Sequence, residues 1–353
     1  MMKPQNPTFT GERDRKRSIK CVVWDLDNTL WQGILLEDAS VRLRSGVAEV
    51  IKTLDERGIL HSIASRNDHD QAMEKLREFD LQQYFLHPQI NWNSKSSSIE
   101  AIAAALNLGL DAFAFVDDDA FEREEVSFSH PAVLCLDAAD SHRILELPEL
   151  MPGVITDDSR RRRLMYLSDI ERKKAEEEFA GPNEEFLATL EMVFSIRPAQ
   201  PGDLERAEEL TVRTHQLNST GRTYSLQELE QFSQSNRHQL LIASLEDKFG
   251  SYGKIGLALI ECAADIWTIK LLLMSCRVVS RGVGTVMLGY IMEQAQQAKA
   301  MLRAEFAPND RNRIMYITYK FAGFKEIEKS ENLKILEADL AQLRPRPAYI
   351  KLL

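Results

Sequence analysis

The chain has 353 residues, of which 44% are hydrophobic and 28% charged, and its formal net charge is −10. This composition is typical of a folded protein, and at roughly 150 residues per domain the length predicts two domains or three. The acidic charge disfavours general binding to nucleic acid, because a phosphate backbone requires a basic surface. The most apolar stretch, residues 255–274, is interrupted by Glu261, Asp265 and Lys270, so we expect no transmembrane span.

Neither secretion nor a cysteine metal site is indicated by the sequence. The N-terminal 20 residues are polar and basic and lack the apolar segment of a signal peptide. The four cysteines show no spacing typical of metal ligands. We therefore expect a reduced, cytoplasmic protein.

The first part of the chain alternates between strand and helix patterns. Residues 1–18 are predicted to form a flexible tail, and the first domain is predicted to span 19–150. Its elements are strands at 19–24, 59–64, 112–116 and 132–136, and helices at 48–57, 70–79 and 98–106. This alternation predicts a doubly wound parallel sheet of the α/β class, with a Rossmann-like order.

The character of the sequence changes after Leu150. Residues 151–184 are densely charged in a helical pattern and are predicted to form a solvated connecting helix. A second domain is predicted over 185–353, with mixed strands and helices of the α+β class. Its predicted elements are strands at 192–196, 239–244, 255–262 and 265–276, and helices at 204–215, 226–232 and 284–297.

Carboxylates cluster where two predicted parallel strands end. The first strand runs into Asp25 and Asp27, and a later strand ends in the acidic triplet 117–119. Ser65 closes another strand, and Lys95 follows an extended stretch. Parallel sheets bind ligands at this edge, and Mg²⁺ prefers oxygen ligands. A single Asp could instead cap a helix or a turn, but that alternative does not account for four elements in this order.

These four elements resemble the motifs of the haloacid dehalogenase-like phosphohydrolases. The resemblance implies that Asp25 is the nucleophile that accepts a phosphoryl group and that Asp27 is the general acid and base. It implies that Ser65 and Lys95 hold the phosphate. It also implies a Mg²⁺ site formed by Asp25 and Asp27 together with Asp117 or Asp118.

Short intervals separate these motifs. The segments from Asp27 to Ser65 and from Ser65 to Lys95 have room for sheet elements but not for a large cap domain. We therefore expect an open cleft, suited to a macromolecular substrate or to coverage by the second domain. Residues 31–35 are predicted to form a hairpin beside the site, in which Trp31 could be only a packing residue.

In the second domain, residues 276–285 resemble the turn that binds the pantetheine pyrophosphate in GNAT-type acyltransferases. The resemblance implies that Arg281, Gly282 and Gly284 bind pantetheine, because glycines let the backbone and a helix N-terminus approach phosphate. Cys276, at the end of the preceding strand, is a candidate nucleophile for acyl exchange. The alternative, a small buried hydrophobic residue, is given equal weight. Cys21 and Cys135 are predicted to be core residues.

The chain as a whole resembles the FkbH-like family, which pairs a haloacid dehalogenase-like domain with a GNAT-like one. The motifs that carry the resemblance lie at residues 20–31, 115–124, 213–218 and 275–278. It implies that the protein dephosphorylates 1,3-bisphosphoglycerate and transfers the D-glyceryl group to the phosphopantetheine thiol of an acyl carrier protein. Such a product supplies a polyketide extender unit, for example methoxymalonyl carrier protein.

One loop departs from the family pattern. The family's loop usually reads close to KTNQFNLTT, whereas this chain has RTHQLNSTG from residue 213, with His215 in place of Asn.

Two other functions remain open. One is a Mg²⁺-dependent phosphatase whose second domain only binds a partner, and the other is a CoA-dependent N-acetyltransferase.

Overall fold

The computed structural model describes residues 18–330, 332–341 and 343–353. The chain divides into two compact units, of which the first ends at Pro152 and the second begins at Gly153. All but the last residue of the predicted tail 1–18 lies outside the described residues.

The first unit is built on a parallel sheet of five strands. In chain order the elements are β1 (Cys21–Trp24), β2 (Trp31–Gln32), β3 (Arg42–Leu43), α1 (Val47–Glu56), β4 (Leu60–Ser65), α2 (His69–Glu78), β5 (Gln89–Ile90), α3 (Lys95–Leu106), β6 (Phe113–Asp117), α4 (Ala120–Ser129) and β7 (Leu134–Asp137). The strand order is β5-β4-β1-β6-β7, and every pair is parallel. Strand β1 is buried along its whole length, as expected for the centre of a parallel sheet.

The register of this sheet brings the predicted site residues to one edge. Trp24, the last residue of β1, lies opposite Ile63 in β4 and Val116 in β6. Asp25 therefore emerges from the carboxyl edge beside Ser65 and Asp117, which end those two strands. Strands β2 and β3 form a separate antiparallel hairpin beyond β1; it begins within the predicted hairpin 31–35, but its second strand lies further along the chain.

The second unit is an α+β fold around a mixed sheet of eight strands. Its elements are α5 (Asp157–Arg160), α6 (Arg162–Glu178), α7 (Asn183–Thr189), β8 (Met192–Pro198), α8 (Leu204–Arg213), α9 (Leu226–Ser233), β9 (His238–Asp247), β10 (Gly250–Cys262), β11 (Ile266–Met274), α10 (Val283–Gln297), β12 (Met301–Phe306), α11 (Arg313–Phe321), β13 (Phe324–Lys329), β14 (Lys334–Ala338) and β15 (Ile350–Leu352). The strand order is β13-β14-β12-β11-β10-β9-β8-β15. The predicted fold class is confirmed: an α/β unit with a parallel sheet and no large cap precedes an α+β unit.

The charged segment 151–184 differs from its prediction as a solvated connecting helix. Almost all of it belongs to the second unit, and Arg172 in α6 is fully buried there. Its guanidinium donates to both carboxylate oxygens of Asp247 at 2.7 and 2.9 Å and stacks 3.8 Å from the ring of Tyr252. The charge density of α6 is therefore due partly to buried ion pairs, which a charge pattern cannot distinguish from a solvated face.

Candidate active site

Asp25 lies at the carboxyl edge of the first sheet, in contact with a buried lysine. Lys95 is the first residue of α3, and its Nζ donates a hydrogen bond to Asp25 Oδ1. The same Nζ donates to the carbonyl oxygen of Ala64 at 2.9 Å. The same Nζ lies 3.2 Å from Asp117 Oδ2. The Ser65 side chain, also buried, hydrogen-bonds the Asp25 carboxylate. The structure therefore brings together Asp25, Ser65, Lys95 and Asp117.

Three carboxylates of this edge are close enough to hold one cation. Asp25, Asp117 and Asp118 each offer an oxygen within 4.8 Å of the others. Burial raises the pKa of Asp25, although the charge of Lys95 lowers it. Burial and the charge of Asp25 raise the pKa of Asp117 to about 7 against the opposing effect of Lys95. Burial likewise raises the pKa of Asp118.

These residues fit a divalent cation. Fully ionised, the three carboxylates would exceed the charge of Lys95 by two units, which is the charge that Mg²⁺ supplies. Asp117 Oδ2 is buried and receives no hydrogen bond among the described residues, although Lys95 is near. Thr29 fixes Asp118 by accepting from its backbone amide at 3.0 Å and donating to its Oδ1 at 3.2 Å.

Asp27 is held outside this group. Its Oδ1 accepts from Trp31 Nε1 at 2.7 Å and from the Leu35 amide at 3.0 Å, and its Oδ2 accepts from Asn67 Nδ2 at 3.0 Å. The structure therefore does not bring its carboxylate to the metal group, where the resemblance had placed it. Trp31 is therefore not only a packing residue, because its indole donates a hydrogen bond to Asp27.

Asn67 was not identified from the sequence as a residue that supports the site. Asn67 follows the Ser65 motif by two residues, and this proximity is the one signal that pointed to it. Asp119, third in the acidic triplet, caps α4 by accepting from the Phe121 amide at 2.8 Å. The helix-cap alternative therefore describes Asp119, whereas Asp117 and Asp118 face the site.

In the second unit, Cys276 opens a 3-10 helix (Cys276–Arg281) directly after β11 and is half-buried. Cys21 is fully buried, and burial raises the pKa of its thiol well above its usual value. Cys21 is therefore a core residue, as predicted. Cys135, which was also predicted to be a core residue, is only half-buried.

The structure places the predicted pantetheine turn at the start of α10. Gly282 adopts a left-handed conformation there with φ of 75°, and a Cβ at this position would lie 2.9 Å from the hydroxyl of Tyr349. Gly284 lies in the first turn of α10. Arg281 is turned inward: it is buried, and its Nη1 donates to Glu176 at 3.3 Å. The two glycines therefore lie at the N-terminal end of α10, and the Arg281 guanidinium pairs with Glu176.

The variant loop after α8 pairs with the end of β11. The Met274 amide donates to the Leu217 carbonyl oxygen, and the Ser219 amide donates to the Leu272 carbonyl oxygen, both at 2.9 Å. The Ala307 amide, just beyond β12, donates to the Ser219 carbonyl oxygen at 3.0 Å. The loop therefore bonds both to the end of β11 and to the residue that follows β12, which agrees with a structural role for its polar residues.

Comparisons with known proteins include a relative by sequence. No family model matches the chain. Over 136 residues it is 31% identical to magnesium-dependent phosphatase 1 of Homo sapiens, a match that covers 33% of this chain and 76% of the human protein. No helix among the described residues is both long and apolar enough to cross a membrane.

Two solved structures are each similar to part of the chain. One is the N-terminal part of a Bacteroides fragilis protein that contains a phosphatase domain complexed with Mg. The identity is 29% and the TM-score 0.31, and the match covers 43% of this chain and 40% of that one. The other is the ribosomal-protein-S18-alanine N-acetyltransferase of Escherichia coli. The identity is 16% and the TM-score 0.33, and the match covers 41% of this chain and 92% of that one.

Proposed function

The chain belongs, through its first unit, to the haloacid dehalogenase-like magnesium-dependent phosphatases, and we propose that it removes phosphate from a small phosphorylated substrate with Asp25 as nucleophile. The observation that carries the proposal is the contact of one buried lysine with Asp25 and Asp117 at the edge of a three-carboxylate group. Mg²⁺ is the cofactor that both this group and the family support.

The residues around Asp25 suit attack on a phosphoryl group. A phosphoryl oxygen near Asp25 would face Lys95 and the hydroxyl of Ser65, which supply positive charge and a hydrogen bond. Mg²⁺ held by Asp25, Asp117 and Asp118 would neutralise the charge on the transferred group. The phosphoryl ester of Asp25 formed in this way is an acyl phosphate, which water can hydrolyse.

Asp27 is assigned to proton transfer. Three donors fix its carboxylate two residues beyond the nucleophile, so its orientation does not depend on the substrate. An alkoxide leaving group needs a proton as it departs, and a carboxyl at this position could donate one. The same group, once ionised, could accept a proton from the water that hydrolyses the acyl phosphate.

The test is phosphate release from a phosphate monoester by the full chain with Mg²⁺. We expect Asp25→Asn to abolish release, because the amide keeps the shape of the side chain but is not a nucleophile. Asp119→Asn is the matched control, because Asn caps a helix as well as Asp does and position 119 lies outside the metal group. Wild-type release by the Asp25 variant, or equal loss in both variants, would show that Asp25 is not the nucleophile.

We further propose that the substrate is 1,3-bisphosphoglycerate and that the second unit transfers its glyceryl group to an acyl carrier protein. The support is the whole-chain resemblance together with the half-buried position of Cys276 at the end of β11. In the first step Cys276 Sγ would bond to C1, the C1–O bond to phosphate would break, and the thiol proton would leave to solvent. The thioester would then pass to the phosphopantetheine thiol, while the C3 ester would be hydrolysed at Asp25.

The transfer is tested by intact-mass spectrometry of the enzyme and of a carrier protein after incubation with Mg²⁺ and 1,3-bisphosphoglycerate. We expect a glyceryl adduct on the enzyme that hydroxylamine removes, and the same added mass on the carrier. Cys276→Ser should lose the enzyme adduct, whereas Cys21→Ser should retain it because Cys21 is buried in β1. Loading of the carrier with no enzyme adduct would mean direct attack of the pantetheine thiol on the acyl phosphate.

A second candidate is a phosphatase whose second unit only binds a partner. The observation that favours it is the covered turn: Tyr349 lies against Gly282, and Arg281 pairs with Glu176 instead of facing a ligand. Phosphate release with no acyl mass on any cysteine or on the carrier would select this function. Acetyl-CoA turnover that persists in Asp25→Asn would instead select the N-acetyltransferase.

A further inference from the structure

Two aromatic side chains stand exposed at the same edge of the sheet as Asp25. Trp92 is 69% exposed and lies in the loop between β5 and α3, three residues before Lys95. Phe121 is 70% exposed and lies in the first turn of α4, four residues after Asp117. A large apolar side chain in this position contributes nothing to the core, and exposed apolar groups often mark binding sites.

Arg66 connects the two loops that carry these rings. It directly follows Ser65, and its Nε donates to the carbonyl oxygen of Asn93 at 3.3 Å. Its Nη1 donates to Glu122 Oε1 at 2.6 Å. Asn93 and Glu122 are the sequence neighbours of Trp92 and Phe121, so one side chain ties both aromatic residues to the same rim of the site.

The distance from this rim to the phosphate site is short. At no more than about 3.6 Å per residue, Trp92 lies within ~11 Å of Lys95 along the chain, and Phe121 lies within ~14 Å of Asp117. No cap domain separates the two loops from Asp25, because β2, β3 and α1 occupy the interval to β4. These bounds place the loops that carry the rings within reach of a leaving group that extends from a phosphate at Asp25.

We propose that Trp92 and Phe121 form a specificity rim that binds a flat or apolar portion of the leaving group of a phosphate monoester. The proposal rests on the phosphatase function assigned above to Asp25. Neither ring carries a group that can transfer a proton or a phosphoryl group, so the rim sets a preference among phosphate monoesters, separate from the transfer proposed for 1,3-bisphosphoglycerate, and is not part of the chemical step. The favoured class is a monoester whose aromatic leaving group extends from the phosphate towards these two side chains.

The kinetic test compares 1-naphthyl phosphate with glycerol 3-phosphate on the full chain with Mg²⁺. We expect the ratio of their kcat/KM values to fall about tenfold in Trp92→Ala and in Phe121→Ala, mainly through the KM of the naphthyl ester, because each ring loses apolar contact area. Phe128→Ala is the matched control, since Phe128 is 90% exposed on the same helix but two turns from Phe121. We expect the ratio to keep its wild-type value in this control.

A binding measurement separates the rim from the chemistry. The dissociation constant of 1-naphthylmethyl phosphonate, which cannot be hydrolysed, is measured by calorimetry with Mg²⁺ and compared with that of methyl phosphonate. We expect the naphthyl compound to bind more tightly to the wild-type chain and to lose about tenfold in affinity in the Trp92 variant. Equal affinities of the wild-type chain for the naphthyl and the methyl phosphonate would contradict the proposed rim. Equal losses of naphthyl affinity in the Trp92 and Phe128 variants would contradict it as well. Normal phosphate release by Asp25→Asn would instead overturn the phosphatase assignment.

Discussion

Glu209, buried in α8 of the second unit, offers a sharp test of how that unit is stabilised. Its side chain is 5% exposed, and its carboxylate accepts from Arg206 Nη1 and Thr156 Oγ1, both at 2.7 Å. It also accepts from Ser159 Oγ at 2.9 Å and from Arg162 Nη2. Replacing it by Gln keeps the shape but leaves two buried guanidinium groups without this negative charge.

The expected loss of stability follows from those contacts. Removing one partner from a buried ion pair costs about 3–5 kcal/mol, because the remaining charge stays desolvated. Arg206 keeps Asp158, whose Oδ2 lies 2.9 Å from its Nε, so the lower value of about 3 kcal/mol applies to Glu209→Gln. For a unit of this size such a loss lowers the urea midpoint by roughly 1 M. Glu205→Gln, exposed on the same helix, is the control and should shift it by much less.

The stability lost in Glu209→Gln should become smaller as the pH falls. Burial opposes ionisation of Glu209, but the charges of Arg162 and Arg206 exceed that effect and hold its pKa well below the usual range. A lowered pKa in the folded state stabilises the protein above the unfolded value of about 4.3, and this contribution is lost as the pH falls below it. The difference between wild type and Glu209→Gln should therefore shrink as the pH falls from about 5 towards 2.

Methionine oxidation reports unfolding of the second unit alone. Met287 and Met292 are buried in its core and become accessible to hydrogen peroxide only when the core opens. Their oxidation is quantified by peptide mass spectrometry across a urea series of the full chain at pH 7, 5 and 3. A midpoint within roughly 0.3 M of wild type at pH 7, or a difference that grows as the pH falls, would refute the reasoning about Glu209.

Two other predictions concern the first unit. Asp27→Asn should slow the hydrolysis of an alkyl phosphate far more than that of an acyl phosphate, because a carboxylate leaving group needs no proton. Equal slowing of phosphate release from both substrates would contradict proton transfer by Asp27. Trp24→Phe removes the buried hydrogen bond from Trp24 Nε1 to His61 Nδ1, which is 3.1 Å long, and leaves a small cavity. We expect a loss of about 2 kcal/mol in thermal unfolding followed by circular dichroism, whereas Trp92→Phe, at an exposed position, should change stability by less than about 0.5 kcal/mol. Equal effects of the two tryptophan substitutions would contradict the role of the buried contact.

The sequence by itself determined the parallel sheet and the residues at its carboxyl edge. Strand-sized apolar runs alternated with helices, and in a parallel sheet all strands point the same way, so the residues that follow them must share one edge. Asp25, Ser65 and Asp117 are therefore grouped by the sequence alone, although they are far apart in the chain. Residue type then indicated a cation and a phosphate.

The tertiary structure decided which way individual side chains face. Nothing in the local pattern distinguishes an arginine that binds a ligand from one that pairs inside the unit, and Arg281 pairs with Glu176. Arg172 is buried against Asp247 in a segment whose charge pattern indicated a solvated helix. Asp27 is likewise oriented by Trp31 in β2 and by Asn67 in the loop after β4. These contacts join residues that no periodic pattern relates, so they are fixed only when the elements pack.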